Sequence, residues 1–461
     1  MAICNEIMAS AVHEALRIDG QYYLPNYVKN EITLSELESK RLPVEFSVSD
    51  GNHMGISRYF SDIPGGIPYY RGQDINDFFL DNANPVYIPY SIYEKPLMAR
   101  SHFKEGDVLL TIVGTIGNVA VVTGHNIPAT GSCKIAILRS KGKMNPHYLS
   151  AFLLSKYGQL QIKRNIRGAV QTGLILEDMY RIRIPVVDAG SEEEIENLIT
   201  ASINENRKSK SLYTQAKQVM DSELGLDKLV FEKPIGYESS LNDVIKNNRA
   251  DADFYQIPFR QIEAHLSNLK TKPLFKIASV DKGIEVGSNV YTSSGKLFIR
   301  VSNVKESGIA LSDSDKYIPD SLYEKLSIFR PQVGELILTK DGTPGVCYVI
   351  DKAIEGIISS GIVKLRIIDK DIPSEYLALA INSEACRMQI DRACSGALIM
   401  HWRPNYLYRL KIPILSSKIM QDLDDKVDSA KKAKRESEKL LRQAKQRVEE
   451  LIEEAVRNEL N

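Results

Sequence analysis

Apolar and polar positions alternate most regularly around a short glycine-containing motif that occurs twice in the chain. The first occurrence is GDVLLTIVGTIGNVAVV at 106–122, and the second is GELILTKDGTPGVCYVI at 334–350. β-Branched runs on both sides of residues that tolerate positive φ are typical of a β-hairpin. We therefore predict one hairpin in each segment. The residues of the two predicted tips are Gly114, Thr115, Gly117, Gly342, Thr343 and Gly345.

The two hairpins belong to a duplication of nearly the whole chain. Seven of the seventeen hairpin positions are identical, and the alignment that places Gly106 on Gly334 then continues without a gap as far as Gln218 and Gln446. An Arg-x-Asp-x-x-aromatic-Tyr element lies near the start of each copy, at Arg17–Tyr23 and Arg249–Tyr255. Solenoid and propeller repeats are far shorter, at roughly 20–50 residues. Each copy is therefore expected to be a domain with an appendage.

Further short elements are predicted in each copy. β-Rich runs between turn-forming segments predict strands, and two longer runs have helical periodicity. The strand runs are Pro68–Tyr70, Lys134–Leu138, Leu297–Val301 and Ile362–Ile368, and the helical runs are Leu149–Leu160 and Leu377–Ile390. Each copy is thus predicted to begin with a mixed α/β domain of about 160–190 residues, an ordinary domain size.

A long helix is predicted at the end of each copy, because apolar positions there follow the 4-3-4-3 spacing of a coiled-coil seam. Ser191 with Glu194 predicts a capping box at the start of the first helix. The first seam is Ile195, Ile199, Ser202, Asn206, Ser209, Tyr213, Ala216 and Met220. The second is Leu423, Val427, Ala430, Lys434, Ser437, Leu441, Ala444, Val448, Leu451 and Ala455. Both seams become polar at equivalent positions, Asn206 and Lys434, as a device that fixes register would.

The connectivity constrains how these helices pack. The first leads from domain one to domain two and the second begins where domain two ends, so a packed pair must be antiparallel. The predicted fold is α+β: two duplicated mixed α/β domains joined by two long antiparallel coiled-coil helices with pseudo-two-fold symmetry. The predicted divisions are 1–187 and 225–415 for the domains, and 188–224 and 416–461 for the helices. Thirty helical residues span about 45 Å, comparable with one turn of B-DNA at roughly 34–36 Å.

Charge is balanced overall but not locally. The chain has 59 basic and 59 acidic side chains, whereas phosphate neutralisation favours a basic protein. Residues 141–183, however, contain eight Lys or Arg and only two acids. The charge distribution therefore permits a surface that faces DNA.

The sequence offers little support for a secreted, membrane-bound or disulfide-linked protein. The five cysteines are scattered without a CxxC pair, which disfavours a disulfide framework or a zinc site. The N-terminal residues lack a signal-peptide pattern, and no uncharged apolar stretch reaches the roughly 18 residues of a membrane span. We therefore expect a cytoplasmic protein.

No motif in the sequence indicates catalysis. Neither hairpin tip has the GxxxxGK[S/T] pattern of a P-loop, and the seven histidines form no HExxH pair. Asn84-Pro85-Val86-Tyr87 approaches an amino-methyltransferase motif but lacks its second proline. The basic run at 431–435 lies in a charge-balanced helix and is interpreted as a solvated face. We predict no catalytic residues, no cofactor and no metal.

The combination of features resembles one known family. The duplication, the GD-x-L-x-T-x-x-GT-x-G hairpin and the Gly168–Pro185 ending, with Gln171 and Leu174 in G-x-x-Q-x-x-Leu…Ile-x-Ile-Pro, resemble the specificity subunits of Type I restriction–modification systems. The resemblance covers the chain from about residue 17 onward. It implies two target recognition domains that each read half of an asymmetric split site in double-stranded DNA.

The resemblance also implies partners. The helices of such subunits set the spacer and dock two methyltransferase subunits, which carry S-adenosylmethionine and methylate adenine. A translocating restriction subunit joins for cleavage, so the chemistry belongs to the partners. The second copy departs from the family pattern, because Ile399 stands where the first copy has Gln171 and is followed by His401-Trp402. Such divergence suits domains that read different half-sites.

Candidate DNA contacts are basic or amide side chains in loops beside the repeated motifs, since such groups bind phosphates and base edges. The candidates are Arg71, Lys134, Arg167, Gln171, Thr172, Arg300, Asn303, Lys340, His401 and Arg403. Three alternatives remain open. The chain could serve a Type II-like or orphan methyltransferase, it could be a fused methyltransferase or nuclease, or it could be a coiled-coil scaffold whose domains bind protein.

Overall fold

The computed structural model describes residues 6–75, 77–168, 172–232, 235–312, 314–396 and 400–459. The chain divides into two compact units. Unit 1 comprises Met1–Arg207 and Lys434–Asn461, and unit 2 comprises Lys208–Ala433. Each unit therefore combines one globular domain with part of each long helix. The four-part division of the sequence given above remains a prediction.

Unit 1 is a mixed α/β structure. Its strands are Ser39–Arg41 (β1), Phe46–Asp50 (β2), Ile67–Tyr70 (β3), Val86–Ile88 (β4), Val108–Thr111 (β5), Val119–Val121 (β6), Thr130–Gly131 (β7), Ile135–Ser140 (β8) and Arg183–Pro185 (β9). Its α-helices are Ala9–Ala15 (α1), Pro25–Glu36 (α2), Leu42–Glu45 (α3), Tyr90–Tyr93 (α4), Pro146–Leu154 (α5), Lys156–Arg164 (α6), Leu176–Met179 (α7) and the first part of Ala189–Glu223 (α8).

The sheets of unit 1 confirm the first predicted hairpin. The largest sheet has the antiparallel order β2-β8-β5-β6, and Val108 pairs with Val121 across the hairpin. A second sheet has the order β4-β3-β7, and β1 pairs with β9. Side chains of β5 alternate between two cores, because Val108 and Leu110 face the helices while Leu109 packs in a smaller cluster behind the sheet.

Unit 2 repeats this architecture. Its strands are Thr271–Pro273 (β10), Ala278–Lys282 (β11), Lys296–Ile299 (β12), Val304–Lys305 (β13), Gly308–Ile309 (β14), Lys316–Ile318 (β15), Leu336–Thr339 (β16), Asp341–Gly342 (β17), Cys347–Val349 (β18), Gly356–Ile358 (β19), Ile362–Ile367 (β20), Cys394–Ser395 (β21), Met400–Trp402 (β22) and Lys411–Pro413 (β23). Its α-helices are Leu241–Asn247 (α9), Ile257–Ser267 (α10), Asp320–Lys325 (α11), Ser374–Asn382 (α12), Glu384–Ala393 (α13), Pro404–Tyr408 (α14) and the first part of Ser417–Glu459 (α15).

The sheets of unit 2 correspond to those of unit 1. The order β11-β20-β16-β18 matches β2-β8-β5-β6, and β15-β12-β19 matches β4-β3-β7. The hairpin β16–β18 is the second predicted hairpin, with Leu336 opposite Val349. The mixed α/β fold class and the duplication are confirmed at the level of strand order. Among the described residues, no helix combines the length and apolar character needed to cross a bilayer.

The long helices pair antiparallel in unit 1. Ser202 Oγ donates to the Ser437 carbonyl, Ser437 Oγ donates to the Ser202 carbonyl, and each bond is 2.7 Å long. Both serines are fully buried, and side chains this small let the two backbones approach closely. Glu194 and Arg447 form an ion pair of 2.9 Å farther along the helices. The predicted polar seam positions also meet, since Lys434 Nζ lies 3.4 Å from Asn206 Oδ1.

Unit 2 contains the remaining parts of the same helices, and these also pack together. Ala216 and Met220 of α8 share a core cluster with Leu423 and Val427 of α15. Their burial confirms the predicted seam positions in this part of the helices. Gln215 and Lys426 are joined by a hydrogen bond of 3.4 Å, which again indicates an antiparallel pair.

Two helix boundaries differ from the sequence predictions. The run 149–160 is divided between α5 and α6, because Ser155 has an extended backbone and its hydroxyl accepts from Gly158 N at 3.2 Å. The run 377–390 is likewise divided between α12 and α13 at Ser383. In both copies, a serine ends one helix and begins the next.

The predicted capping box at Ser191 and Glu194 is wrong. Helix α8 already begins at Ala189, and the capping group is Asp188. Its Oδ1 accepts from Ser191 N at 3.0 Å and its Oδ2 accepts from Ser191 Oγ at 2.6 Å. These bonds hold the pKa of Asp188 below its ordinary value.

The prediction that the basic run 431–435 forms a solvated helix face is wrong for Lys431. Its ammonium lies 2.7 Å from the Glu375 carboxylate and 3.1 Å from the Val349 carbonyl, and only 11% of the side chain is exposed. The position is polar because it neutralises a buried acid of α12 in the adjacent domain.

Candidate nucleic-acid interface

The loop that follows β5 in unit 1 is part of a short ladder at the edge of the domain. Gly173 forms one antiparallel β-bridge with Val113 and another with Arg167. Arg167 and Gly173 exchange two backbone hydrogen bonds of 2.8 Å, and Leu174 N donates to the Ile112 carbonyl at 2.8 Å. We call residues 112–113, 167 and 173–174 edge ladder 1.

Unit 2 has the same ladder at the positions that the duplication makes equivalent. Asp341 of β17 pairs with His401 of β22, and His401 pairs with Ser395 of β21. Trp402 N donates to the Lys340 carbonyl at 2.9 Å, in the manner of Leu174 in unit 1. We call residues 340–342, 394–395 and 400–402 edge ladder 2. The two ladders therefore have the same pattern of backbone pairing but present different side chains.

The hairpin tips beside the ladders are built alike. Gly114, Gly117, Gly342 and Gly345 all have positive φ, between 68° and 100°, a conformation that glycine adopts without steric cost. Thr111 Oγ1 donates to the Thr115 carbonyl and accepts from Asn118 N at 2.9 Å. Thr339 makes the equivalent bonds to the Thr343 carbonyl and Val346 N. Thr115 and Thr343 are exposed at the tips.

Each tip is also supported by the following helix. Gln159 Nε2 of α6 donates to the Gly117 carbonyl at 2.9 Å, and Arg387 Nη1 of α13 donates to the Pro344 carbonyl at 3.1 Å. Positions 159 and 387 are equivalent in the two copies. The tips are therefore fixed from the inside of each domain, which leaves their outer surface available to a ligand.

Replacing Thr111 by valine is expected to lower the free energy of unfolding by about 1–3 kcal/mol. The substitution keeps the shape of the fully buried side chain but leaves the Thr115 carbonyl and Asn118 N without their partner. Urea unfolding of the purified chain measures the loss. Thr111→Ser, which retains the hydroxyl, is the matched control, and equal losses for both variants would contradict this role of the hydroxyl.

Two of the predicted contact residues, Arg71 and Lys134, lie close to edge ladder 1. A Cβ built on Gly72, next to Arg71, would lie 3.2 Å from Lys134 Cβ and 3.3 Å from the Val113 carbonyl. The Arg71 and Lys134 backbones are therefore close to the ladder. Lys134 is exposed, and its ammonium has no ion pair with any residue that the structure describes. The Arg71 guanidinium donates two hydrogen bonds to the Asp74 carboxylate, of 2.8 and 2.9 Å.

Arg167 is partly exposed and is paired with a buried acid of the domain. Its guanidinium is bidentate on Asp178, with Nη2 at 2.6 Å from Oδ1, and this carboxylate raises the pKa of Arg167. Arg17 and Arg181 each lie 3.8 Å from the same carboxylate, whose side chain is 2% exposed. Thr172 is exposed beside the ladder, and Gln171 lies outside the described residues.

The unit 2 candidates have different environments. Asn303 is 1% exposed, and its Nδ2 donates to the Ala310 carbonyl at 2.9 Å and to Asp315 at 2.7 Å. Because this amide is bonded within the domain, we leave Asn303 out of the proposed interface. Arg300 Nη2 donates to the Ser314 carbonyl at 2.6 Å. Arg403 is exposed where α14 begins.

Edge ladder 2 carries a group of three charged or polar side chains. Asp341 accepts from Lys340 Nζ at 2.5 Å and lies 2.8 Å from His401 Nδ1. Lys340 and His401 were predicted contacts, but Asp341 was not, because Lys-Asp-Gly in a hairpin tip is an ordinary turn sequence. The signal that identifies it is the alignment of the copies, since position 341 corresponds to Val113, a ladder position.

Part of the chain matches a known family. Residues 62–215 match the family model of the Type I restriction modification DNA specificity domain. This match confirms the resemblance to the Type I specificity domain over residues 62–215. The part of the chain that matches the specificity domain contains the β5–β6 hairpin, edge ladder 1 and the first part of α8, as far as position 215.

Several solved structures are similar to the chain over different shares of its length. The Type I restriction–modification S subunit from M. genitalium is 12% identical, with a TM-score of 0.45, covering 89% of this chain and 95% of that chain. The HsdS subunit from Thermoanaerobacter tengcongensis is 14% identical, with a TM-score of 0.28, covering 90% and 96%. The type IIG restriction endonuclease BpuSI is 12% identical, with a TM-score of 0.30, covering 40% and 29%. No curated protein matches the sequence.

Proposed function

We propose that the chain is the non-catalytic DNA-specificity subunit of a Type I restriction–modification complex. In this proposal, each unit reads one half of an asymmetric bipartite site in double-stranded DNA. The observation that carries the proposal is the pair of edge ladders, which have the same backbone pairing but different side chains. A common scaffold with divergent surface groups is what two unequal half-sites require.

The surfaces around the ladders suit contacts with both parts of DNA. Phosphate contacts fix the register of a protein on the duplex, whereas contacts with base edges read the sequence. Lys134 and Arg403 are exposed cations beside the ladders and are the proposed phosphate contacts. The tip threonines, Thr172 and the side chains of edge ladder 2 are the proposed base contacts, with Arg71, Arg167, Arg300 and Gln171 as further candidates from the sequence.

The long helices are proposed to set the distance between the half-sites and to dock two methyltransferase subunits. Their antiparallel pairing within each unit supports a rigid spacer. Methylation of adenine and the binding of S-adenosylmethionine are assigned to the methyltransferase partners, and cleavage to a restriction and translocation subunit. The chain itself supplies recognition and is proposed to act in the cytoplasm.

The test is to co-express the chain with a methyltransferase subunit from the same genome and to map methylated adenines by single-molecule sequencing. We expect one bipartite motif with a fixed spacer, and no methylation of that motif when this chain is omitted. Methylation that is independent of the chain would contradict the proposal. A motif without a matching restriction subunit would instead indicate a Type II-like or orphan methyltransferase, and no methylation with retained protein binding would indicate a scaffold.

Replacing Lys134 by alanine is expected to weaken DNA binding by a similar factor for all sequences. An exposed ammonium that neutralises one phosphate contributes to affinity without reading bases. The slope of log binding constant against log salt should therefore fall in magnitude by about 0.9. Fluorescence anisotropy at several salt concentrations measures this slope. Lys445→Ala, on an exposed position of α15, is the control, and an unchanged slope for Lys134→Ala would remove this residue from the interface.

Lengthening both helices together is expected to lengthen the spacer. Seven residues inserted between Arg207 and Lys208, with seven between Ala433 and Lys434, preserve the seam in each unit because seven residues are one heptad. The insertions extend each helix by about 10 Å. Methylation mapping of this variant should show the same half-sites farther apart, and an unchanged spacer would contradict the proposed ruler.

A further inference from the structure

We propose that Asp341 orients His401 on edge ladder 2, and that His401 thereby determines base preference in one half of the recognition site. The inference rests on the proposed function and assigns a specificity-determining side chain to unit 2. Asp341 acts as a positioning residue in this proposal, since it acts through His401.

The geometry of edge ladder 2 places both groups on one surface. Asp341 and His401 are directly opposite each other in an antiparallel pair, and side chains at such positions lie on the same face of a sheet. Asp341 Oδ1 lies 2.8 Å from His401 Nδ1, and 60% of the His401 side chain is exposed. The imidazole is therefore fixed at one nitrogen and open at its other edge.

The backbone around the pair is anchored to the interior. The neighbouring residue, Trp402, is 2% exposed in the main core cluster of unit 2, and its backbone N–H donates to the Lys340 carbonyl at 2.9 Å. Lys340 Nζ lies 2.5 Å from the second carboxylate oxygen, Oδ2. The carboxylate thus has one oxygen for each partner and a fixed orientation.

The ionised carboxylate determines which imidazole nitrogen carries the proton. A carboxylate oxygen only accepts hydrogen bonds, so Nδ1 is the donor. In the neutral ring, Nε2 is then an unprotonated acceptor. In the major groove, the exocyclic amino groups of adenine and cytosine are donors, whereas guanine O6 and N7 and thymine O4 are acceptors. The outward nitrogen is therefore complementary to a base edge that offers an amino group.

Unit 1 lacks this arrangement. The equivalents of Asp341 and His401 are Val113 and Gly173, neither of which has a polar side chain. Across the ladder, Arg167 stands where unit 2 has Ser395. The proposed preference is therefore confined to the half-site that unit 2 reads.

The test uses the full-length chain with its methyltransferase partner. Methylated adenines are first mapped for the wild-type complex, and the mapping is repeated for His401→Ala, Asp341→Ala and Asp341→Asn. With His401→Ala, we expect relaxed preference at one position of one half-site, with at least a tenfold smaller ratio of methylation between the wild-type base and its replacements. A good base contact gives discrimination of this order. The other half-site and the spacer should be unchanged.

The two Asp341 variants separate positioning from simple packing. Asp341→Ala should relax the same position as His401→Ala, because the imidazole loses its fixed orientation. Asp341→Asn should retain more of the wild-type preference than Asp341→Ala, because its one amide oxygen still accepts from Nδ1 when the Lys340 ammonium turns to solvent. The double variant His401→Ala/Asp341→Ala should be no more relaxed than His401→Ala. A structural role alone would lower methylation of the whole motif and would not change its sequence.

Several outcomes would overturn the inference. An unchanged motif for His401→Ala would show that this side chain does not read a base, and relaxation in both half-sites would show that the effect is not confined to unit 2. Relaxation with His401→Ala but not with Asp341→Ala would remove the positioning role. His401→Asn provides a second variant if the alanine variant does not fold. Failure of the proposed function is distinct, because the wild-type complex would then yield no chain-dependent bipartite motif.

Discussion

Replacement of Lys431 by methionine is expected to lower the free energy of unfolding by about 3–5 kcal/mol, the usual effect of leaving a buried charge without its partner. Lys431 Nζ lies 2.7 Å from the Glu375 carboxylate, and the two side chains are 11% and 9% exposed. Methionine preserves most of the volume but removes the ammonium. Guanidinium unfolding at neutral pH measures the loss.

The same variant is expected to show a characteristic pH dependence. Burial raises the pKa of Glu375 above its ordinary value of 4.5, whereas Lys431 lowers it. Without Lys431, the pKa of Glu375 in the folded state rises further. A carboxyl whose folded pKa is raised stabilises the fold fully below its unfolded pKa, and this contribution is lost as pH increases through the folded value. The difference in free energy of unfolding between the wild type and Lys431→Met should therefore be small near pH 4 and grow towards pH 7.

Unit 1 provides the matched control for this pair. The positions equivalent to Lys431 and Glu375 are Ile203 and His147, and burial lowers the pKa of that histidine. The double variant Lys431→Ile/Glu375→His transfers the unit 1 combination, and we expect it to recover most of the lost stability at neutral pH. A deficit that does not change between pH 4 and pH 7, or a double variant as unstable as Lys431→Met, would contradict the ion-pair explanation.

Replacement of Asp178 by alanine is expected to reduce both stability and DNA binding. Its buried carboxylate holds Arg167 in a bidentate pair and lies 3.8 Å from Arg17, which is 5% exposed. Because Arg17 retains Asp19 at 2.6 Å, the expected loss is about 2–3 kcal/mol, below the full cost of a broken buried pair. Edge ladder 1 contains Arg167, so we expect DNA affinity to fall for the half-site that unit 1 is proposed to read.

The control again comes from the other copy. Position 178 corresponds to Tyr406 and position 167 to Ser395, and the Arg249 guanidinium there lies 5.9 Å from the Tyr406 ring centroid. The double variant Arg167→Ser/Asp178→Tyr should be more stable than Asp178→Ala in thermal unfolding. A double variant less stable than Asp178→Ala would show that the Ser and Tyr of unit 2 cannot replace the Arg167–Asp178 pair of unit 1. If Asp178→Ala binds both half-sites normally, Arg167 does not depend on this carboxylate for its role.

The parts of the fold that depend on local periodicity were predictable from the sequence. The hairpins β5–β6 and β16–β18 follow from alternation around glycines, and the seams of α8 and α15 follow from heptad spacing. The breaks at Ser155 and Ser383 were missed because α5 and α6, like α12 and α13, bury apolar residues in the same cluster. Their apolar positions consequently read as one continuous helix.

The candidate site was predictable only in outline. The tip residues and Lys134 were identified from their place beside the repeated motif. The Asp341–His401 pair was not, because these residues are 60 positions apart and meet through strand pairing. Nothing in the sequence indicated that the Asn303 amide is hydrogen-bonded within its own domain, to the Ala310 carbonyl and to Asp315.

Unit 1 is built from two separate segments of the chain, which has a consequence for synthesis on the ribosome. Its core joins Ile195, Ile199 and Ile203 to Ala444, Val448 and Ile452, so a segment that follows unit 2 in the sequence completes a structure whose other parts are made first. During translation, the apolar stripe of α8 lacks this cover until residues 444–452 of α15 have been synthesised. The N-terminal half is therefore expected to be the more aggregation-prone nascent segment, and a chain stopped before residue 434 should depend on chaperones for solubility although its globular domain is already complete.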